Sequence, residues 1–473
     1  MRRALALLAA TALSVPLLTG TAAAAAPPAN PELGPVGTAA MHSDAASSDT
    51  TPYDGPGTGP ITAQYNFLFG ACPTVLQGSD QLPQLLCTSF LGLTPTVHLL
   101  DPATGASMAE LALTPGSLLG GVYAFVDNRD QMVVMDGTGD LLRVGHDRFG
   151  PGGAWRLFVA ERTPIQPSVS GHCGGNSCDS VTSLMAEYAG RVWFASALGA
   201  VGYFDPATHT QHSIVLPGER VANSISTAPG GVSVATDHAL YQFTADPGAA
   251  PTVVWRRPYD RGPARKPGQL SWGTGASPTF FGPSTGTEYV TITDNAVPKE
   301  NLLVYRTDTG VPICSVPAVD GTENSPIGAG SSVFVASTYG YPYPRLPEGA
   351  GPSQPEWAPF VGGMTRIDVD PGGTGCHTVW TNQVRSAAVP KLSTAENRIY
   401  TTARRAFWGD PNGTGLLDFY DHTVIDAATG AVQASNQLGL SLLFDTLQTA
   451  GLTTAQGVQF QGTLTGVVRI VHP

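Results

Sequence analysis

One turn motif, an Asp-bearing turn that often reads Asp-x-x-Thr-Gly, recurs between short apolar runs along most of this 473-residue chain. Asp suits such a turn because its carboxylate accepts hydrogen bonds from nearby backbone N–H groups, while Gly supplies a positive φ. The units recur roughly every 40 to 65 residues, which is the period of propeller blades. The clear copies lie at 97–111, 201–216, 302–316, 364–380 and 422–435, and weaker ones at 141–159, 240–255 and 467–473.

A second element, an apolar strand pair, precedes most of these turns, for example at 289–293 and 332–337. Such strands, with those that flank the turn, make a four-stranded antiparallel blade. The sequence therefore predicts an all-β fold, a single β-propeller of about eight four-stranded blades. Seven blades are an alternative because residues 71–96 are irregular. Two β-sandwich domains would also contain many short strands, but they need no turn motif that recurs in phase.

The two ends of the chain predict how the ring closes. The last unit ends at Pro473 without an outer strand, and residues 61–70 have strand character. An unpaired edge strand is a liability that ring closure removes. We therefore expect the N-terminal strand to complete the last blade.

The N-terminus is typical of a secretory signal, because Arg2 and Arg3 precede an apolar stretch and a run of small residues. The apolar stretch is shorter than the ~20 residues of a membrane span, which argues against an anchor. Residues 27–60 are rich in Pro, Ala, Gly, Ser and Asp, a composition that favours a flexible leader. We predict a cleaved signal peptide at 1–26, a leader at 27–60 and the propeller at 61–473, in a secreted, extracellular protein.

The charge balance excludes several classes of partner. The formal net charge is -12, and the 24 basic residues include only three lysines. An acidic surface repels phosphate backbones and anionic lipid, so we expect no nucleic acid and no membrane as a partner. We expect a monomer that binds a small molecule or an extracellular protein.

Six cysteines in an exported chain indicate disulfide bonds. The alternative is a Cys/His metal site that uses His172 or His377, but the chain lacks paired C-x-x-C spacing, so we predict no metal site. Similar turns precede two of the cysteines, which would place them on matching strands of neighbouring blades. The expected pairs are Cys173 with Cys178, Cys72 with Cys87, and Cys314 with Cys376.

In a propeller, the loops before the inner strands and those between the second and third strands emerge on one face, around the channel mouth. Here these loops carry aromatic, Arg and amide side chains, which suit a polar organic ligand. An alternative is that Tyr and Pro merely plug the channel. The predicted ligand contacts are Trp272, Asn295, Asn324, Tyr339, Arg385, Arg404 and Trp408.

Two carboxylates in the same loops, Asp294 and Glu323, are candidates for acid–base or metal chemistry. The alternative for both is that they cap turns, as most loop carboxylates do. The chain has no G-x-S-x-G elbow and no H-E-x-x-H pattern, so it signals neither a hydrolase elbow nor a zinc protease.

The units LDPATGASMAEL and IDAATGAVQAS resemble the A-x-D-x-x-T-G-x-x-x-W repeat of the PQQ-like propellers, the superfamily that includes quinoprotein alcohol dehydrogenases. The likeness covers about six turns between residues 97 and 435 and includes Trp380. The segment TITDNAVPKENLLVYRTDTGV resembles the quinoprotein segment that carries a catalytic Asp followed by Asn, which implies Asp294 as the base and Asn295 as its neighbour. The adjacent Cys-Cys pair of those enzymes is missing, and their calcium-binding Glu and Asn find no match here.

Three functional hypotheses follow. The leading one is a secreted propeller that binds a small polar ligand or a protein at the channel-mouth face, with no cofactor expected. The second is a quinoprotein-like oxidoreductase, or another small-molecule enzyme, that works in the central funnel around Asp294 and Glu323 and would need PQQ with calcium. The third is a structural extracellular protein with a sealed channel.

Overall fold

The structure is a computed structural model that describes residues 25–116, 122–150, 152–165, 169 and 179–473. The signal peptide predicted at 1–26, apart from its last two residues, and the predicted pair Cys173–Cys178 lie outside these residues. No helix in the described part of the chain is long and apolar enough to cross a membrane.

Eight antiparallel sheets follow one another along the chain as the blades of a propeller. Two strands precede the first blade: β1 Thr50–Thr51 and β2 Thr62–Phe67. Blade 1 consists of β3 Gly70–Gln77, β4 Pro83–Ser89, β5 Pro95–Leu100 and β6 Ser107–Ala112, and blade 2 of β7 Phe125–Val126, β8 Met132–Met135, β9 Asp140–Arg148 and β10 Trp155–Pro164. Blade 3 consists of β11 Val181–Ala186, β12 Val192–Ser196, β13 Ala200–Asp205 and β14 Thr210–Val215, and blade 4 of β15 Ser226–Ala228, β16 Gly231–Ala235, β17 Ala239–Thr244 and β18 Thr252–Pro258.

The second half of the chain repeats the pattern. Blade 5 consists of β19 Thr279–Phe281, β20 Tyr289–Thr293, β21 Glu300–Arg306 and β22 Pro312–Val319, and blade 6 of β23 Ile327–Ala329, β24 Ser332–Ala336, β25 Met364–Val369 and β26 Cys376–Asn382. Blade 7 consists of β27 Lys391–Ser393, β28 Arg398–Arg405, β29 Phe419–Asp426 and β30 Val432–Leu440, and blade 8 of β31 Leu452–Thr453, β32 Gln459–Thr463, β33 Gly466–Val471 and β2. A short 3-10 helix, Leu442–Phe444, lies between blades 7 and 8. The prediction of an all-β propeller with eight four-stranded blades is therefore confirmed.

Ring closure is also confirmed. β2 pairs antiparallel with β33, with Thr62 opposite Val471 and Phe67 opposite Gly466. The N-terminal strand thus becomes the outer strand of blade 8, and the next strand along the chain begins blade 1. The free edge of the last three strands is covered by this pairing.

Burial along each blade follows the position of the strand. The inner and middle strands are almost wholly buried, as in β15 and β20, because neighbouring blades cover both of their faces. The outer strands alternate, as in β6 and β18, because one side of each faces solvent. This explains the continuous apolar runs in the sequence at the second strands and the mixed runs after the turns.

The recurrent Asp turns join the third and fourth strands of the blades. Asp426 shows why the motif repeats: its Oδ1 accepts hydrogen bonds from the N–H groups of Ala428 and Thr429, both at 2.9 Å. Gly430 then adopts a φ of 74° and its N–H donates to the Asp426 carbonyl. Asp and Gly are both needed for the local geometry.

Two of the predicted disulfides are present. Cys72 on β3 is bonded to Cys87 on β4 within blade 1. Cys314 on β22 is bonded to Cys376 on β26, so that the outer strands of blades 5 and 6 are joined covalently, as the similar turns predict.

Residues 27–60, predicted as a flexible leader, differ from that expectation in the structure. Residues 38–51, which we call the plug, are buried and fill the central channel. Their backbone bonds to the inner strands, and β1 inside the plug pairs parallel with β27, Thr50 opposite Leu392. The small side chains that suggest disorder are the ones that fit a narrow channel, and bonds to the ring offset the entropy of ordering them.

Candidate functional site

The plug enters and leaves the channel on the face opposite the predicted mouth. The N–H of Asn128, in the loop after β7, donates to the Glu32 carbonyl, and the N–H of Thr394, in the loop after β27, donates to the Thr51 carbonyl. The tip of the plug reaches the mouth face, where the loops before β19 and β23 surround His42. The channel is therefore occupied by the chain itself, from one face to the other.

His42 is the centre of a buried polar cluster at this tip. Its Nδ1 lies 3.1 Å from both carboxylate oxygens of Asp49 and 2.9 Å from the Ser325 hydroxyl. Its Nε2 lies 3.4 Å from the Ser277 hydroxyl. Ser277 and Ser325 each stand directly before a proline and an inner strand, so they are equivalent residues of blades 5 and 6.

A carboxylate, an imidazole and a hydroxyl in this order can activate a serine as a nucleophile. In this protein all three groups are covered: the residues Asp49, His42 and Ser277 are 0%, 4% and 3% exposed. The bonds therefore hold the plug tip in the ring. Sequence reasoning missed this cluster because His42 and Asp49 stand more than two hundred residues before the two serines and meet them only once the plug lies in the channel.

Glu323, a predicted acid–base residue, lies in the loop before β23. Its Oε2 accepts a hydrogen bond from the Leu270 N–H at 2.8 Å, and its Oε1 is buried without a partner among the described residues. Burial raises the pKa of Glu323 to about 8, against the opposing effects of the Leu270 N–H and the Arg265 charge. Glu323 is thus mostly protonated at neutral pH and can donate a hydrogen bond.

Asp294, the other predicted acid–base residue, caps its own loop between β20 and β21. Its Oδ1 accepts from the N–H groups of Asn301 at 2.7 Å and Ala296 at 3.1 Å, and its Oδ2 accepts from the Asn301 amide at 2.7 Å. Burial raises its pKa. Asp294 and Glu323 thus have separate partners, and the negative charge on each, when it is ionised, adds to the effect of burial that raises the pKa of Glu300.

Glu300 itself forms a buried ion pair that the sequence analysis missed. Its Oε1 lies 3.7 Å from Lys266 Nζ and accepts a hydrogen bond from Gln269 at 2.9 Å. Lys266 also donates to the carbonyls of Ala296 and Asp320. Lys266 and Glu300 thus join the loop before blade 5 to the loop between the second and third strands of that blade.

Arg404, predicted to bind ligand, belongs to a buried charge network. Its Nε donates to Asp418 at 2.7 Å, its Nη1 to Asp445 at 3.2 Å and its Nη2 to the Gly415 carbonyl at 3.0 Å. Asp445 also accepts from the hydroxyls of Tyr341 and Tyr420. The guanidinium has protein partners on each of its nitrogens, and it holds the loops of blades 6, 7 and 8 together.

Arg385 uses its guanidinium in a similar way. It donates to the carbonyls of Phe360, Pro411 and Gly413 at 2.7, 2.6 and 2.8 Å. Burial and the nearby Arg404 charge lower its pKa to about 10. Arg385 therefore fastens the long loop of blade 6 to the long loop of blade 7.

Three further predicted contacts lie in the same loops. Asn295 is buried, and its amide donates to the carbonyls of Arg261 and Ala264 at 2.7 and 2.9 Å. Asn324 is buried, and its amide donates to Gln448 at 3.0 Å. Tyr339 is half-buried. The Oδ1 atoms of both asparagines are buried and have no hydrogen-bond partner among the described residues.

The two predicted tryptophans are exposed on the mouth face. Arg261 Cζ lies 3.8 Å from the ring centre of Trp272, whose Nε1 donates to the Arg261 carbonyl. Trp408 packs against Phe407 with 5.7 Å between ring centroids, and most of its surface is exposed. Both are free to contact a partner.

The residues around Asp294 do not fit a quinone–calcium site. Both carboxylate oxygens of Asp294 already accept hydrogen bonds within its own loop, and the plug occupies the channel axis. In the part of the chain that the structure describes, no group of three His, Cys, Asp or Glu residues is placed to hold a metal ion.

A cleft of about 300 Å³ lies on the opposite face, between blades 2 and 3. Glu32, Asp127, Arg129 and Arg143 are among its lining residues. Within this lining Arg143 pairs with Asp127, and it also lies 3.3 Å from Glu161, which is outside the lining. The cleft is separate from the mouth-face loops.

Nine large exposed apolar side chains lie at the mouth-face ends of the neighbouring blades 7, 8 and 1. The loop after β28 is joined to the 3-10 helix through the Leu442 N–H and the Leu416 carbonyl, and Phe444 packs against Tyr65. Of these exposed residues, the sequence analysis predicted only Trp408. The apolar arc consists of Phe67, Phe69, Phe90, Leu91, Phe407, Trp408, Leu416, Leu417 and Leu443.

No protein-family model and no curated protein matches the chain. Solved structures with a similar shape include the computationally designed Ika8 protein (11% identity, 87% of this chain and 98% of that one, TM-score 0.46). They also include BamB from Moraxella catarrhalis (12% identity, 72% and 93%, TM-score 0.42) and the WD40 domain of Toxoplasma gondii coronin (9% identity, 89% and 89%, TM-score 0.43).

These identities and TM-scores carry no information on function, and the fold assignment rests on the strand topology itself. The class that fold and site define is an eight-bladed β-propeller with a filled channel and an apolar arc on its mouth face.

Proposed function

We propose that this protein is a secreted interaction module that binds an extracellular protein through the apolar arc. The observation that carries the proposal is the concentration of large exposed apolar side chains in loops of three neighbouring blades. A contiguous exposed apolar patch is typical of a protein-binding surface. Trp and Phe in such a patch are among the residues that supply most of the energy of binding.

The kind of partner follows from the shape and charge of the surface. The arc stands on loop tips above a filled channel, so it suits a broad protein surface better than a small molecule, which needs a concave pocket. A membrane is disfavoured because the protein carries a formal net charge of -12 and few lysines. The signal-like N-terminus and the two disulfides support an extracellular setting.

Site-specific photo-cross-linking in the extracellular fraction of the producing cells tests the proposal. A photoreactive phenylalanine analogue replaces Trp408 or Leu91 in the arc. In the control it replaces Val254, which is exposed on the outer strand of blade 4. We expect one and the same protein to be cross-linked from both arc positions, and Leu416→Asp to abolish its capture from Trp408.

Three outcomes would overturn the proposal. They are equal labelling from Val254, no adduct from either arc position, and an adduct that consists only of a second copy of this chain. The first two favour a second candidate, a structural protein without a bound partner, for which the filled channel is the supporting observation.

A further inference from the structure

The plug is a run of tight turns, closed by hydrogen bonds such as that from the Ser43 N–H to the Ala40 carbonyl, and its backbone also bonds to the inner strands of the ring. Its backbone carbonyls, in chain order, accept hydrogen bonds from inner-strand N–H groups of successive blades, at 2.7 to 3.0 Å. Blades 1, 2, 4, 5, 6 and 7 each contribute one donor to this set. The donors are Gln77, Val126, Thr227, Phe280, Gly328 and Leu392, and the acceptors are the carbonyls of residues 38, 39, 45, 46, 48 and 49.

In this compact, turn-rich geometry the main-chain hydrogen bonds to the ring supply affinity and side-chain contacts supply specificity, the two contributions on which peptide recognition depends. The specific contacts of the plug are those of His42 with Ser277 and Ser325, and a 2.7 Å hydrogen bond from Ser226 to Ser47. They fix the register of the plug against blades 4, 5 and 6.

The cores between the blades depend little on the plug. The plug adds small side chains, Ala39, Ala40 and Ala45, to the largest apolar cluster, whose bulk comes from strand residues such as Trp193 and Phe243. It also adds Ala46 to a second cluster and Met41 to a small third one. Ring closure at β2 and β33 lies at the outside of blade 8, away from the channel. The largest core cluster and the closure of the ring are thus built mainly from residues of the blades.

The path of the chain also permits the plug to withdraw. It enters and leaves on the same face, so no end needs to be threaded through the ring. The connector from the plug to β2 contains Gly55, Gly57 and Gly59. The N–H groups of Gly55 and Gly57 donate to Glu396 and to the Tyr400 hydroxyl of blade 7, so these bonds must open or stay in place as the plug leaves.

We propose that the channel of this propeller is a peptide-binding site, with residues 38–51 as its resident ligand, and that it accepts the same kind of peptide in trans. The ligand class is a turn-forming peptide of small residues with a His and an Asp seven residues apart. The proposal is independent of the apolar arc, which lies on other loops.

The first test opens the connector of the full-length protein. A protease site inserted after Gly57 is cut in the folded protein, which is then incubated with a fluorescent synthetic peptide of residues 27–57. We expect one peptide per propeller to be incorporated by exchange. We expect a peptide with His42→Ala and Asp49→Ala to compete at least tenfold more weakly. Loss of the fold on cleavage, absence of exchange, or equal uptake of a scrambled peptide would each overturn the proposal.

The second test uses the uncut protein, so that it holds even if the cut variant behaves poorly. Hydrogen–deuterium exchange compares the N–H groups of Thr227, Phe280 and Gly328, which bind the plug, with those of Ile292 and Val304 in middle strands. If the plug leaves while the ring stays folded, the N–H groups that bind the plug exchange at least tenfold faster than those of the middle strands. Equal rates in the two groups would show that plug and blades open only together, and would refute the proposal.

Discussion

The imidazole of His42 lies against the carboxylate of Asp49, seven residues later in the chain, with Nδ1 at 3.1 Å from both oxygens. Both residues belong to the plug, and the hydroxyls of Ser277 and Ser325 complete the cluster from the ring. The ring of blades therefore binds the plug through this polar cluster, in addition to the hydrogen bonds made by the backbone of the plug.

Replacement of His42 by Ala should destabilise the whole protein. The change leaves the Asp49 carboxylate and two hydroxyls buried with fewer partners, which costs about 2 to 4 kcal/mol in the free energy of unfolding. Urea unfolding followed by tryptophan fluorescence measures the loss. The control is Asp54→Ala, an exposed residue just after the plug, which should change stability by less than about 0.5 kcal/mol. Equal effects of the two substitutions would contradict a gripping role for His42.

Glu323→Gln should change how stability depends on pH. Burial raises the pKa of Glu323 from 4.5 to about 8 in the folded protein, so its favourable contribution is complete below about pH 4.5 and is lost as the pH rises through 8. The amide variant escapes this loss, so its stability relative to the wild type should grow between pH 5 and 8 and level off above. Urea midpoints across this range measure the difference. Glu348→Gln, at an exposed residue, should run parallel to the wild type throughout.

Arg404 and Arg385 should differ in the cost of their removal. Arg404→Met leaves the buried carboxylates of Asp418 and Asp445 without their cation, which costs about 3 to 5 kcal/mol. Arg385→Met releases only backbone carbonyls of loops near the surface, so we expect about 1 to 2 kcal/mol. Thermal and urea unfolding of the two variants provide the comparison, and a larger loss for Arg385 would show that the network is misassigned.

The disulfide between blades 5 and 6 should stabilise the ring from outside. Its cysteines are 62 residues apart, so the double variant Cys314→Ser, Cys376→Ser should lose about 2 to 4 kcal/mol through the greater entropy of the unfolded chain. Unfolding under non-reducing conditions measures this loss. A single substitution at either cysteine serves as a check, because it should cost about as much as the pair.

The blades were predictable from the sequence because the chemistry of each turn is local. Asp426 and Gly430 specify their turn without reference to any other part of the chain, and repetition of such turns gives the number of blades. Ring closure followed from a missing outer strand at one end and a spare strand at the other.

The plug and the roles of the arginines were not predictable in the same way. Ala45 and Ala46 look like linker residues in the sequence because their partners, Thr227 and Phe280, are about two hundred residues away. Arg385 was placed in the right loop, but its carbonyl partners depend on how two irregular loops fold. In each case the deciding contact lies between residues whose separation in sequence carries no pattern.

The plug precedes every blade in the chain, yet its partners are distributed over most of them, and β2 pairs only with the last strand. During synthesis the plug and β2 are made before any blade, and β2 can pair only after almost four hundred further residues have been added. Folding therefore ends with the joining of the earliest and the latest parts of the chain, a slow topology because such distant contacts form late. A chain that lacks only its final strands would leave its own beginning without a place to bind.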